Sequence, residues 1–239
     1  MRTDPDHAQA LDLLREGRAT EARALLQGLC RRQPDNWQAH LSLGLLESRM
    51  GNPSACVDAL QQVIRLQPDS SMAHAGLGRA QFAMGRAAEA ERSLREAVRL
   101  QPGDATLHHD LGIAQRAQKN FPGAIACLRR AIDLDPDSIE QRFNLGVCQQ
   151  AQCSHDSAVA TYRDILARDP AHVRACMILA AALGASGRLD EAISAFEQAL
   201  ALRPDDPDIG YRLALALEQT HRLQQARDVL EKTLRQSPG

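Results

Sequence analysis

Aromatic residues, lysine and long apolar runs are all scarce in this 239-residue chain, and each scarcity excludes something. At 3% aromatic, the core must come from Leu, Ala, Ile and Val rather than from packed rings. No apolar stretch is long enough to cross a bilayer, and the start MRTDPDHAQALDLLREGR lacks the apolar segment of a secretory leader. A cytoplasmic protein with no membrane insertion is the expectation. Lys119 and Lys232 are the only lysines, an arginine-rich bias common in GC-rich bacterial genomes. A net charge of −2 provides no field to draw in nucleic acid or an anionic membrane. Cys30, Cys56, Cys127, Cys148, Cys153 and Cys176 show neither zinc-site pairing nor a disulfide framework. Walker A, dinucleotide and HExxH motifs are missing too.

What the chain does have is a ruler. Prolines stand at Pro34, Pro68, Pro102, Pro136, Pro170, Pro204 and Pro238, each 34 residues from the next. A fixed period of this length marks a helical repeat array. Rows counted from Thr3 divide residues 1–239, one array, into repeats at 3–36, 37–70, 71–104, 105–138, 139–172, 173–206 and 207–239. Position 7 then reads Gln9, Leu43, Leu77, Leu111, Leu145, Leu179, Leu213. Position 8 reads Ala10, Gly44, Gly78, Gly112, Gly146, Ala180, Ala214, and position 20 is Ala or Cys56 throughout. Position 24 is large: Leu26, Leu60, Leu94, Leu128, Tyr162, Phe196, Leu230.

Apolar positions 7 and 11, then 20, 24 and 27, follow helical spacing, so each row predicts two amphipathic helices. Small residues at 8 and 20 let the two axes approach. Gly17, Gly51, Gly85 and Gly187 stop the first helix in a left-handed conformation, with Cys153 in that slot in row five. The proline stops the second helix, and Asp35, Asp69, Asp137 and Asp205 suit the turn and the next helix start.

In these columns the chain resembles the tetratricopeptide repeat family, as in LGIAQRAQKNFPGAIACLRRAIDLDP (111–136). The first row fits least, with Gln9 for Leu and Leu29 for Ala, and position 4 is never aromatic. The resemblance implies an all-α fold: a right-handed α-solenoid superhelix of tandem antiparallel helix pairs, its first helices lining a concave face. It also leads one to expect a polar capping helix, which is not found before Gly239.

Candidate chemistry is thin. His40, His74 and His108 also recur at 34, but equivalent residues on parallel helices do not converge on one ion, and they fill position 4 instead. Ser154, His155 and Asp156 are consecutive, so they cannot form a triad, and Ser154 reads as an N-cap. Cys148, Cys153 and Cys176 allow a redox pair or plain core filling. No metal, cofactor or catalytic residue is expected. Glu47, Gln81, Gln115 and Gln149 at position 11 either bond along the stack or mark a looser interface.

With the family's geometry, positions 2, 5, 6, 9, 12 and 13 face the concavity. Positions 5 and 9 carry Ile113, Phe143, Val147, Met177 and Tyr211, surrounded by Arg79, Asp110, Arg116, Asn144, Arg174 and Arg212. This predicts a groove for an extended peptide or amphipathic helix; the alternative is that these side chains bury one another. Charge on the face is mixed, which argues against nucleic acid. The family's chaperone-binding carboxylate clamp is represented by Asn144 alone, and its asparagine ladder by one rung. Three functions follow: a non-enzymatic scaffold for a protein segment, the docking arm of a larger enzyme such as a transferase, or an array that self-associates through its terminal repeats.

Overall fold

The computed structural model describes residues 4–236; Pro238 of the ruler lies outside them. Every regular element among the described residues is an α-helix, two per row. Rows one and two give α1 (Pro5–Arg15), α2 (Ala19–Arg32), α3 (Trp37–Arg49) and α4 (Pro53–Leu66). Rows three and four give α5 (Ser71–Ala83), α6 (Ala87–Leu100), α7 (Ala105–Ala117) and α8 (Phe121–Leu134). Rows five to seven give α9 (Ile139–Ala151), α10 (His155–Arg168), α11 (Val173–Ala185), α12 (Leu189–Leu202), α13 (Pro207–Gln219) and α14 (Leu223–Gln236). The helices gather into two compact units, one ending at Leu134 and one beginning at Asp135. Among the described residues no helix is long and apolar enough to cross a membrane.

Local chemistry sets the helix ends. The residue before each ruler proline cannot stay helical, because the proline ring crowds it. Gln33, Gln67, Gln101 and Arg203 accordingly take φ between −137° and −132°, while their N–H groups still donate to the carbonyl four residues back. The next first helix is then capped by Asp4, Asn36, Ser70, Asp104, Ser138, His172 or Asp206, whose side chain accepts from a backbone N–H inside the helix. The aspartates directly after the prolines lie in the turn, one residue earlier than that cap.

First helices end as the glycine column requires. Gly17, Gly51, Gly85 and Gly187 have φ of 74° to 78°. Lys119, Cys153 and His221 hold the same left-handed slot without being glycine, at φ near 60°. The following N–H reaches back five residues in each case, for example Arg86 to the Gln81 carbonyl at 2.9 Å. Ser154 occupies the start of α10 as expected, but its side chain makes no capping bond.

Packing within a pair is a small residue against a large one. A Cβ added at Gly44, Gly78, Gly112 or Gly146 would stand 2.5–2.9 Å from the position-24 side chain of the same row. Position 24 is 0–1% exposed in the first five rows, so each leucine there contributes about 1.5–3 kcal/mol of burial. The histidine column has a structural task. His40, His74 and His108 place Nε2 at 3.2, 2.8 and 3.0 Å from the carbonyls of Pro34, Pro68 and Pro102. Each ring ties its helix to the preceding turn, and no metal-binding group of three occurs among the described residues.

Candidate functional site

Stacking consumes most of each first helix. In the first unit, Ala73, Leu77 and Ala80, at positions 3, 7 and 10, pack onto Cys56, Leu60 and Val63 of the preceding row. Position 11 is buried as well and uses its polarity in two ways. Between rows, Arg23 Nε donates to Glu47 at 2.6 Å and Gln115 donates to Glu91 at 3.1 Å. Within a row, Ser93 donates to Gln81 and Thr161 to Gln149, at 2.7 and 2.8 Å. Glu91 is held below the usual carboxylate range: burial pushes it up, but bonds from Gln115, Gln118 and Arg95 outweigh that. The column therefore stitches the two helix layers together.

Position 5 behaves differently from the sequence reading. It rests on position 27 of its own row and position 3 of the next: Ala75 on Ala97 and Leu107, Met177 on Ala199 and Ile209. Phe143 follows the rule and is 7% exposed, so it is not an open anchor. Its ring lies 6.1 Å from Tyr162 and 6.2 Å from His172. Tyr211 is 57% exposed because no row follows it among the described residues.

What stays open on the first helices is chiefly positions 2, 12 and 13, with 6 and 9 partly covered. In the second unit the Arg174 guanidinium lies 4.3 Å from the Phe143 ring centroid, a cation–π contact. Arg174 is exposed, and among the described residues it makes no ion pair. Nearby stand the half-buried Asn144, Val147 and Met177. Asn144 donates to the Glu140 carbonyl at 3.1 Å, and Arg212 pairs with Asp208 at 2.9 Å. In the first unit Arg79 pairs with Asp110 at 2.5 Å, beside the half-buried Ile113 and Arg116. Met72 (57% exposed) and Phe82 (37%) flank Arg79 on α5. Both stand at positions 2 and 12, outside the apolar stripe that positions 5 and 9 predict from the sequence.

No disulfide joins the cysteines. Burial pushes the thiols of Cys56, Cys127 and Cys176 up, and that of Cys30 to about 11, away from the thiolate that redox chemistry needs. Cys148 and Cys176 are buried core fillers on α9 and α11, and Cys153 is exposed at its turn.

Comparison with known families gives the tetratricopeptide repeat twice over, one profile matching residues 7–48, 41–105 and 150–207, the other 81–145 and 183–239. Comparison with curated proteins yields no match. Among solved structures, MamA is 25% identical over 68% of this chain and 95% of its own, with a TM-score of 0.65. YrrB, described as having an unusual peptide-binding site, is 18% identical over 82% of this chain and 97% of its own, at 0.69. The C-terminal part of a repeat protein from Cytophaga hutchinsonii is 13% identical over 97% of this chain and 95% of its own, at 0.83.

Proposed function

Since this chain belongs to the tetratricopeptide repeat family, we propose that it is a non-enzymatic scaffold whose first-helix faces bind a segment of another protein. The observation that carries this is Arg174: exposed, over the Phe143 ring and without an ion pair among the described residues. A guanidinium held against a ring has less freedom left to lose on binding, and it offers a planar fork to a carboxylate. The proposed occupant is thus an extended or helical segment bearing an acidic side chain or chain end. Val147 and Met177 would take its apolar side chains, Asn144 and Arg212 its polar ones, and Phe143 acts from beneath Arg174. In the first unit Arg79, Asp110, Ile113 and Arg116, with Met72 and Phe82, form the corresponding contact face. The peptide-binding site named for YrrB supports a segment as the ligand class.

Peptides selected from a random display library on the wild-type chain test the reading. Binders should lose at least tenfold in affinity to Arg174→Glu and little to Arg130→Glu on the exposed side of α8. Binders indifferent both to Arg174→Glu and to Arg79→Glu, or no binders at all, refute it.

A further inference from the structure

The last helix pair leaves an apolar face open. Leu230 is 36% exposed, whereas its counterparts at position 24 in the six preceding rows are 0–7% exposed. Tyr211, Leu215, Leu223 and Leu234 extend the patch around a cleft of about 360 Å³ between α13 and α14. In earlier rows this is the surface that receives positions 3, 7 and 10 of the next first helix.

The first row of another copy is a poor occupant. At positions 3, 7 and 10, α1 carries Pro5, Gln9 and Asp12, all exposed. Pressing Gln9 and Asp12 onto leucines would strand both polar groups. Among the described residues the first row is thus polar on its stacking face and the seventh apolar, and these two surfaces do not match for head-to-tail growth.

The rim of the open face suits a copy of itself. Arg227 and Glu231 lie one turn apart on α14, on either side of Leu230, and pair at 2.8 Å. Across a two-fold axis, residues equidistant from the axis meet. An axis crossing α14 midway between 227 and 231 brings each Arg227 against Glu231 of the other copy, with the leucines between them. The open parts of the five apolar side chains amount to roughly 500 Å² per copy, so a pair buries about 1,000 Å² before any polar rim is added, the least a specific interface needs and below the standard size of about 1,200–2,000 Å², which the rim would have to make up.

We propose that this face is a two-fold interface with a second copy of this chain, α14 antiparallel on α14, independent of whether the first-helix faces bind a peptide. Sedimentation equilibrium on the full chain tests it. The expected result is a mass rising from one copy to two with concentration and stopping there. Leu234→Glu, at a side chain already 70% exposed, should abolish the rise without unfolding the protein. Arg227→Glu and Glu231→Arg should each weaken association at least tenfold, and mixing the two variants should restore it, because both cross-axis pairs are then opposite in charge. A chain that stays monomeric, association that survives Leu234→Glu, mass that grows beyond two copies, or a mixture that fails to recover would each overturn the proposal.

Discussion

Gly78→Ala and Gly184→Ala make the same chemical change with opposite expected signs. In a helix interior the added methyl restrains the unfolded chain and stabilises by about 0.5–1 kcal/mol. At Gly184, in the last turn of α11, a Cβ meets nothing within 4 Å, so the gain, at most that of an interior site, should appear without a clash. At Gly78 it would sit 2.6 Å from Leu94 Cγ, 3.1 Å from Cδ2 and 3.2 Å from the Ala90 carbonyl oxygen. Leu94 is 1% exposed and has no free space to swing into, and the carbonyl belongs to the backbone of α6. Relief requires α5 and α6 to separate, an overpacking cost of about 1–3 kcal/mol, for a net loss of about 0.5–2 kcal/mol. Rows one, six and seven carry alanine at this position in pairs already built around it. Thermal unfolding followed by circular dichroism reads the contrast. At about 2–4 °C per kcal/mol for a chain of this size, Gly184→Ala should rise by about 1–4 °C and Gly78→Ala fall by about 1–8 °C. A Gly78→Ala chain that melts as high as Gly184→Ala would show that the small residue does not set the helix spacing.

Other expectations follow from single contacts. Cys153→Gly and Lys119→Gly remove a left-handed strain of about 1–2 kcal/mol at the cost of some chain entropy, and each should raise the urea midpoint slightly, whereas Gly85→Ala should lower it. Asp164 is held below the usual carboxylate range by the Arg142 guanidinium at 2.6 Å, so its contribution is complete above that range and disappears as pH falls through the depressed folded value. Asp164→Asn should therefore cost about 1–2 kcal/mol at neutral pH, softened because half of Asp164 faces water, and flatten the acid limb of the stability curve. Arg23→Ala leaves the buried Glu47 with Asn52 as its remaining side-chain donor and should cost about 1–3 kcal/mol by urea titration. In alkylation at pH 8 followed by peptide mapping, exposed Cys153 should react well before Cys30, whose thiol is pushed up to about 11.

Much of this protein is written locally. A proline every 34 residues forces the residue before it out of the helix whatever surrounds it, and the left-handed turn half a repeat earlier is set by its own five-residue bond. The facing of position 8 against position 24 is equally legible, because both belong to one helix pair and volume alone decides what fits. Even the left-handed Cys153 could be read from its place in the glycine column.

Position 5 was not legible in that way, nor was the role of the histidines. Phe143 and Tyr211 occupy the same slot, and one is buried while the other is 57% exposed. Nothing in either residue or its sequence neighbours distinguishes them; the difference is a following row that supplies position 3 and, over Phe143, the guanidinium of Arg174. The sequence by itself determined the helices, their ends and the match of small to large within each pair, since those rest on backbone sterics and side-chain volume over a few turns. Only the tertiary structure decided which apolar side chains remain in water, because burial between rows depends on a surface contributed from more than 30 residues away.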